Sequence, residues 1–163
     1  MSYIPFDQLP DSSRLWIFAA DRALSDAESE MLEREMQGFC NSWVAHESPV
    51  TGNAEMMYNQ FLLVAADDHT FPSGCSTDEM FRRVRILGES YGVEFFGMPR
   101  VQYRDNNSIR SVGRFEFGDI AKHLSADTKV FDNTLTTLGD FRLGKWEVPA
   151  GISWHAKAFE FQK

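Results

Sequence analysis

The chain opens with two short apolar runs that flank a stripe of apolar residues at helical spacing. Residues 15–20 and 61–66 are continuous apolar runs with polar neighbours, and such runs predict buried strands. Between them, Ser25 and Glu28 match a capping box. Apolar residues then recur at steps of four and three, which predicts a long amphipathic helix with a buried stripe of Leu32, Met36, Phe39, Trp43 and His46.

A second amphipathic helix is predicted from about residue 77 to residue 91, and Gly92 ends it. The apolar face of this helix consists of Met80, Val84, Leu87 and Tyr91. Residues 48–58 contain Pro49 and Gly52 and predict a loop before the second strand.

The second half of the chain has shorter patterns. Residues 93–117 predict two strands around a turn at 105–108, and a short helix is predicted near 119–124. In the C-terminal third, β-branched and aromatic residues favour strands at 130–131, 134–138 and 152–161.

These elements predict an α+β fold in which two main amphipathic helices pack on a mixed β-sheet. A single domain spanning residues 1–163 is expected, because no linker or repeat divides the chain. The strand, helix, strand, helix order of the first half leaves α/β as the alternative. If the first two strands are parallel neighbours, their carboxyl ends bring Asp21 and residues 67–75 to one edge of the sheet.

Composition narrows the classes of partner and location. The chain has 163 residues and a formal net charge of −8, which argues against nucleic-acid binding because such proteins neutralise phosphates with a basic face. No apolar run approaches the roughly 20 residues of a membrane helix, and the start of the sequence lacks the features of a signal peptide. We therefore expect a cytoplasmic protein with no membrane partner. Its two cysteines are too few for a disulfide scaffold.

The segment after the second apolar run carries the candidate chemistry. Asp67 and Asp68 follow the run, and Cys75 stands just before the predicted second helix. A thiol at a helix N-terminus faces the positive end of the helix dipole, which favours the thiolate. Cys75 is therefore the candidate nucleophile and His46 the candidate base.

The same segment is a candidate ligand pocket, because it is a polar, glycine-containing turn where strand ends open a crevice. The predicted ligand-binding residues are Trp43, His46, Asp67, Ser73, Gly74, Cys75, Ser76 and Asp78. In a simpler interpretation, glycine permits the turn, Cys75 packs inward, and Ser76 or Thr77 caps the helix.

Metal and cofactor sites are not predicted. His46, Asp67, Asp68, His69 and Cys75 are ligand types, but no pair stands at a recognised ligand spacing. Residues 139–145 match the glycine and lysine spacing of a phosphate-binding loop. However, Trp146 follows where a hydroxyl should hold magnesium, and Pro149 breaks the helix that such a loop requires.

Four segments resemble a family of small bacterial proteins of the Bacteroidetes type whose function is not established. They are Trp43-Val-Ala-His46, the Ser73-Gly-Cys-Ser-Thr-Asp78 turn, residues 130–139 and Trp154. The resemblance implies membership but no chemistry. Members are sometimes labelled transporter ATPases, which the incomplete phosphate-binding loop contradicts.

Three classes of function remain open at this point. The leading hypothesis is a binding or regulatory module for a small molecule or protein partner, with its pocket at residues 73–78. The second is a thiol-dependent enzyme or redox sensor that uses Cys75. The third is a structural subunit in which aromatic residues of the C-terminal third form a homo-oligomer interface.

Overall fold

A computed structural model describes residues 4–70 and 73–163. In chain order its helices and strands are β1 (Arg14–Ala19), α1 (Asp26–Asn41), β2 (Val44–Ala45), β3 (Ser48–Pro49), β4 (Gly52–Met57), β5 (Phe61–Ala66), α2 (Gly74–Tyr91), β6 (Arg100–Asp105), β7 (Ser108–Gly113), α3 (Arg114–Ala121), β8 (Lys129–Phe131), α4 (Leu138–Arg142), β9 (Glu147–Pro149) and α5 (His155–Ala158). Single 3-10 turns occupy Phe6–Gln8, Asp68–Thr70 and Ala150–Ile152.

Strand β5 is the centre of the first sheet, whose order is β1-β5-β4. Every side chain of β5 is fully buried, so both faces of the strand must be covered. One face of β5 packs against the apolar faces of the two long helices, α1 and α2. The other face packs against residues from the second half of the chain, namely Phe131, Leu138 and Trp146.

The second sheet has the order β7-β6-β8-β9 and covers its own core with α3. The β4–β5 turn reaches across to this sheet. Its Tyr58 ring stacks on Trp146 at a centroid distance of 5.8 Å and lies 4.6 Å from the Arg104 guanidinium carbon. Arg104 in turn donates to Glu147, with 3.0 Å between Nε and Oε2. The turn is thereby tied to two strands of the second sheet.

The predicted α+β class is confirmed, but the sheets are not mixed. All strand ladders within the described residues are antiparallel. The idea that the first two predicted strands are parallel neighbours is wrong, because β5 enters the sheet from β4 through a tight hairpin. That hairpin sends β5 back antiparallel to both β4 and β1.

Several predicted boundaries also change. Helix α1 starts with the predicted Ser25 capping box but ends at Asn41, so Trp43 and His46 lie beyond it. The predicted loop at 48–58 contains strand β4, whose Gly-Asn-Ala-Glu-Met-Met sequence has little strand propensity and is held by pairing with β5. The predicted helix near 119–124 lies earlier, as α3.

The C-terminal strands are confirmed only at residues 130–131, which belong to β8. The predicted strands at 134–138 and 152–161 are wrong. The side chain of Thr137 caps α4 at the end of the first segment, and the second segment contains the end of a 3-10 turn and α5. The hairpin around residues 105–108 is confirmed by the pairing of β6 with β7.

Substitutions at two glycines, one in the first sheet and one on helix α1, test how closely the backbone of the sheet is packed. A Cβ at Gly52 would lie 2.6 Å from the Ala65 carbonyl oxygen, whereas a Cβ at Gly38 on helix α1 would meet nothing within 4 Å. We expect Gly52→Ala to lower the free energy of unfolding by about 1–3 kcal/mol and Gly38→Ala to raise it by about 0.5–1 kcal/mol. Urea unfolding measures both changes. Equal effects of the two substitutions would contradict this packing.

Candidate functional site

Residues 73–78 form the start of helix α2. Ser73 is the N-cap, and its Oγ accepts a hydrogen bond from the Ser76 backbone N–H at 3.2 Å. Its carbonyl accepts from the hydroxyls of Ser76 and Thr77 at 3.0 and 2.9 Å. The helix thus begins about three residues before the predicted position, and the expectation that Ser76 or Thr77 is the cap is wrong.

Trp43 and Ser76, two of the predicted ligand-binding residues, are brought together by a contact between their polar groups. Trp43 is 2% exposed, and its Nε1 donates to the Ser76 carbonyl oxygen at 3.0 Å. The Trp43 ring also packs on Trp16 and Phe39. This hydrogen bond fixes the first turn of α2 to the segment that follows α1.

The two cysteines have opposite environments. Cys75 is exposed, so the interpretation that it packs inward is wrong. Cys40 is buried in α1, and burial raises the pKa of its thiol to about 12. Asp78, predicted in the first turn of the helix, lies one turn further in because the helix begins at Gly74, and the first turn carries no acidic residue.

His46 lies in the two-residue turn between β2 and β3, not on a buried helical face. Its φ of 51° and the φ of 67° at Glu47 place both residues in the left-handed region of this hairpin. The His46 side chain is exposed, and no hydrogen bond joins it to Cys75 within residues 4–70 and 73–163. It lines a depression of about 380 Å³ with Asp68 and His69. The predicted nucleophile, Cys75, and the predicted base, His46, are therefore not joined by a hydrogen bond.

Asp67, Asp68 and His69 place their ligand-type atoms within 4.8 Å of one another. Asp67 Oδ1 accepts from the backbone N–H of His69 and lies 3.0 Å from its ring Nδ1. These bonds lower the pKa of Asp67, and the neighbouring carboxylates raise the pKa of His69. Asp68 accepts from Ser12 Oγ at 2.8 Å. The three side chains thus already have partners, either one another or Ser12.

His155, which the sequence offers as a second candidate base with no better claim than His46, is a buried histidine next to a serine. His155 is 1% exposed, its Nδ1 lies 2.9 Å from Ser153 Oγ, and its ring stacks on Trp154. Desolvation lowers the pKa of His155 to about 4, against a smaller opposite effect of Asp132. Ser153 Oγ also lies 3.1 Å from the Ala150 carbonyl, to which it donates. The burial of the ring and these local bonds indicate a structural role.

Sequence reasoning missed a cleft of about 220 Å³ between the two sheets. One wall is the edge of β1 at residues 17–19, and the other is formed by residues 94–100 with Gln102 and Asn133. At its rim Met98 is 80% exposed and Phe96 is 40% exposed. The lining of the cleft thus combines apolar side chains with two carboxamides and with the charged residues Glu94 and Arg100.

The β1 wall of the cleft is an unpaired strand edge. The Ala20 N–H donates towards β5, to the Gln60 carbonyl, whereas the Leu15 N–H donates away from β5, to Thr136. Backbone groups alternate sides along a strand, so those of Ile17 and Ala19 also point away from β5. They have no hydrogen-bond partner among the described residues. The edge exposes two N–H donors and two carbonyl acceptors to the cleft.

The carboxamides on the opposite wall are held by a hydrogen-bond network. Asn133 Nδ2 donates to Gln102 Oε1 at 2.8 Å, and Trp146 Nε1 donates to Asn133 Oδ1 at 2.9 Å. Gln102 is 4% exposed and also donates to Ser111 Oγ. These bonds fix both amide planes, and the second Asn133 N–H has no acceptor within residues 4–70 and 73–163. The sequence offers one cue for this network, a polar residue amid the apolar positions of β6.

In the described part of the chain, no helix is long and apolar enough to cross a bilayer. Comparisons of the chain with models of protein families, with curated proteins and with solved structures give no match.

The exposure of the cysteines predicts selective alkylation. At neutral pH iodoacetamide should modify Cys75 and leave Cys40 unmodified, because the Cys40 thiol is buried and its pKa is about 12. Mass spectrometry of the intact protein should show one adduct, which Cys75→Ser removes and Cys40→Ser keeps. Both thiols should react in urea. Two adducts on the folded protein would contradict the burial of Cys40.

Asp78 tests whether a carboxylate controls the Cys75 thiol. Asp78 is exposed and lies beyond the first turn, so we expect Asp78→Asn to change the free energy of unfolding by no more than about 1 kcal/mol. The alkylation rate of Cys75 should also stay nearly constant. A severalfold faster rate in Asp78→Asn would instead mean that the carboxylate suppresses the thiolate at close range.

His155 predicts a specific loss of stability in acid. Its pKa is below the unfolded value, so the unfolded chain binds more protons and stability falls as pH drops from about 6.5 to 4. The fall should amount to at most about 3 kcal/mol. His155→Gln should reduce the difference between unfolding free energies at pH 7 and 4.5. His123→Gln is the control at an exposed histidine and should keep the wild-type difference.

Proposed function

We propose that this protein is a binding module and that the cleft beside β1 is its ligand site. The observation that carries the proposal is a cleft lined both by Ile17 and Ala19, whose outward backbone groups have no partner among the described residues, and by the held carboxamides of Gln102 and Asn133. Ligand sites combine an apolar lining with a few polar groups that point into one cleft, so these groups favour a ligand that pairs with them.

This proposal moves the ligand away from residues 73–78, where the pocket was first predicted. The polar groups of Ser73, Ser76 and Trp43 are engaged in capping α2 and in fixing its first turn. Asp78 does not line the cleft; it lines an open depression of about 450 Å³ with Phe81 and Arg82, which adjoins the cleft at Phe96. A ligand role for these residues stays a prediction, and so does membership of the bacterial family. Two free cysteines support a cytoplasmic location for the module.

A thiol function of Cys75 is the second candidate, favoured by its exposure in the first turn of an 18-residue helix. The candidate requires alkylation of Cys75 faster than that of an unstructured cysteine peptide at the same pH. A rate at or below that of the peptide would remove it.

Fragment binding followed by nuclear magnetic resonance tests the proposed site. The protein labelled with ¹⁵N is titrated with small carboxamides, carboxylates and phenols at millimolar concentration. We expect saturable amide shifts from at least one of these classes, clustered at residues 17–19, 94–98, 102 and 133. Completing unpaired polar groups favours the carboxamides.

His46→Ala and Asp78→Asn are the matched controls, because both residues line other depressions. Neither should change the fragment affinity. The proposal would be overturned if no fragment gave saturable shifts, if the shifts mapped to residues 46 and 68–70 or to 75–82, or if either control substitution abolished binding.

A further inference from the structure

We propose that the ligand of this cleft is a short extended peptide segment that adds to the open edge of β1 as a strand. The inference rests on the proposed function and names the class of ligand. An added strand is held by main-chain hydrogen bonds, and its alternate side chains supply selectivity.

The first argument is the spacing of the free backbone groups. Ile17 and Ala19 are two residues apart in an extended strand, so their N–H and carbonyl groups repeat every ~7 Å along the edge. Another extended chain offers donors and acceptors at the same repeat. A compact polar molecule would satisfy one of these residues and leave the other unpaired.

The second argument is that the chain already pairs with this edge on both sides of the gap. Before it, Leu15 N–H donates to Thr136 at 2.9 Å, and Leu138 N–H donates to Ser13 at 3.1 Å. After it, Asp21 N–H donates to Glu94 at 3.1 Å. The open part is therefore recessed between two segments of the protein itself and leaves room to pair about three residues.

The recessed position of the open edge favours a peptide over a second copy of the chain as its occupant. Edge-to-edge association of two sheets needs a long, accessible edge. Here residues 136–138 and Glu94 block the continuation of the edge at both ends. A single flexible strand can enter the gap, whereas β1 of another copy would carry its own flanking segments into the same space.

The third argument comes from the opposite wall. In an added strand, alternate residues direct their N–H and carbonyl groups away from β1, and these groups also need partners. A carboxamide has the same donor and acceptor chemistry as a peptide bond, and Asn133 and Gln102 line that wall. Beyond the bonds that hold these amides, the second Asn133 N–H has no acceptor in the described part of the chain, so the cleft offers that donor to the outer edge of a peptide strand paired with β1.

The rim indicates the side chains of the peptide. Phe96 and Met98 are exposed apolar residues beside the cleft, and Phe96 also packs on Phe18 and Phe81. An apolar peptide side chain that covers them removes apolar surface from water. We therefore expect segments that combine strand-forming residues with at least one apolar or aromatic side chain.

The test uses a library of displayed random heptapeptides, selected on the full chain. Selected peptides are synthesised with acetylated and amidated ends, and their affinity is measured by fluorescence anisotropy. Ala19→Pro deletes one outward N–H that has no partner in the described part of the protein, and Ala19→Val keeps that N–H with a similar side-chain volume. We expect at least about tenfold weaker binding for Ala19→Pro and a change within about threefold for Ala19→Val.

A scan of single N-methyl groups along the peptide gives a second readout that does not depend on the folding of a variant. Each N-methyl group removes one peptide N–H. Pairing with β1 predicts that sensitivity to methylation alternates with a period of two residues across the bound segment. Thermal melting and amide spectra check that both Ala19 variants are folded.

Each outcome separates the inference from the proposed function. If fragments bind in the cleft but no peptide is selected, or if methylation shows no alternation, the peptide assignment is wrong and the binding site stands. If neither fragments nor peptides bind, both are wrong. Sedimentation of the free protein as a dimer that Ala19→Pro dissociates would make a second copy the occupant and overturn the peptide assignment.

Discussion

The burial of both faces of β5 is the constraint on which the rest of the structure depends. The strand consists of Phe-Leu-Leu-Val-Ala-Ala, with no polar side chain to face water. One layer of helices covers only one face, so a second layer is required. The chain supplies it with Phe131, Leu138 and Trp146 from its second half, which joins the two sheets through the apolar surface of one strand.

The same arrangement determines that the cleft lies beside β1. Within the described residues the first sheet has three strands, and β1 lies at its edge. The second half of the chain must pass along that edge to reach the lower face of β5. Residues 136–138 and Glu94 pair with β1 as they pass. Natural proteins protect free strand edges. In the described part of this protein, segments of the chain cover both ends of the β1 edge but not its middle.

The sequence predicted the elements whose patterns are local. The capping box at Ser25, the strand at 61–66 and the left-handed Gly92 at the end of α2 follow from neighbouring residues, and all three are present. The end of α1 was missed because the stripe of apolar residues continues past Asn41 to Trp43. That indole is buried for a different reason, its contact with the start of α2.

The candidate site was predictable only in part, because its residues act through positions distant in sequence. The Ser73 to Asp78 turn stood out through its residue types, which are those of a helix cap as well as of a ligand loop. Neither Ile17 nor Ala19 has any chemical feature that marks it, since their unpaired groups belong to the backbone and depend on which strand lies at the edge. Asn133 becomes part of the cleft's polar network only through its hydrogen bond to Gln102, which lies 31 residues away in the sequence. A cleft made of backbone groups and paired carboxamides therefore depends on the topology of the fold and is not visible in the sequence. Single reactive side chains are visible in the sequence, but without a partner in the structure they do not form a site.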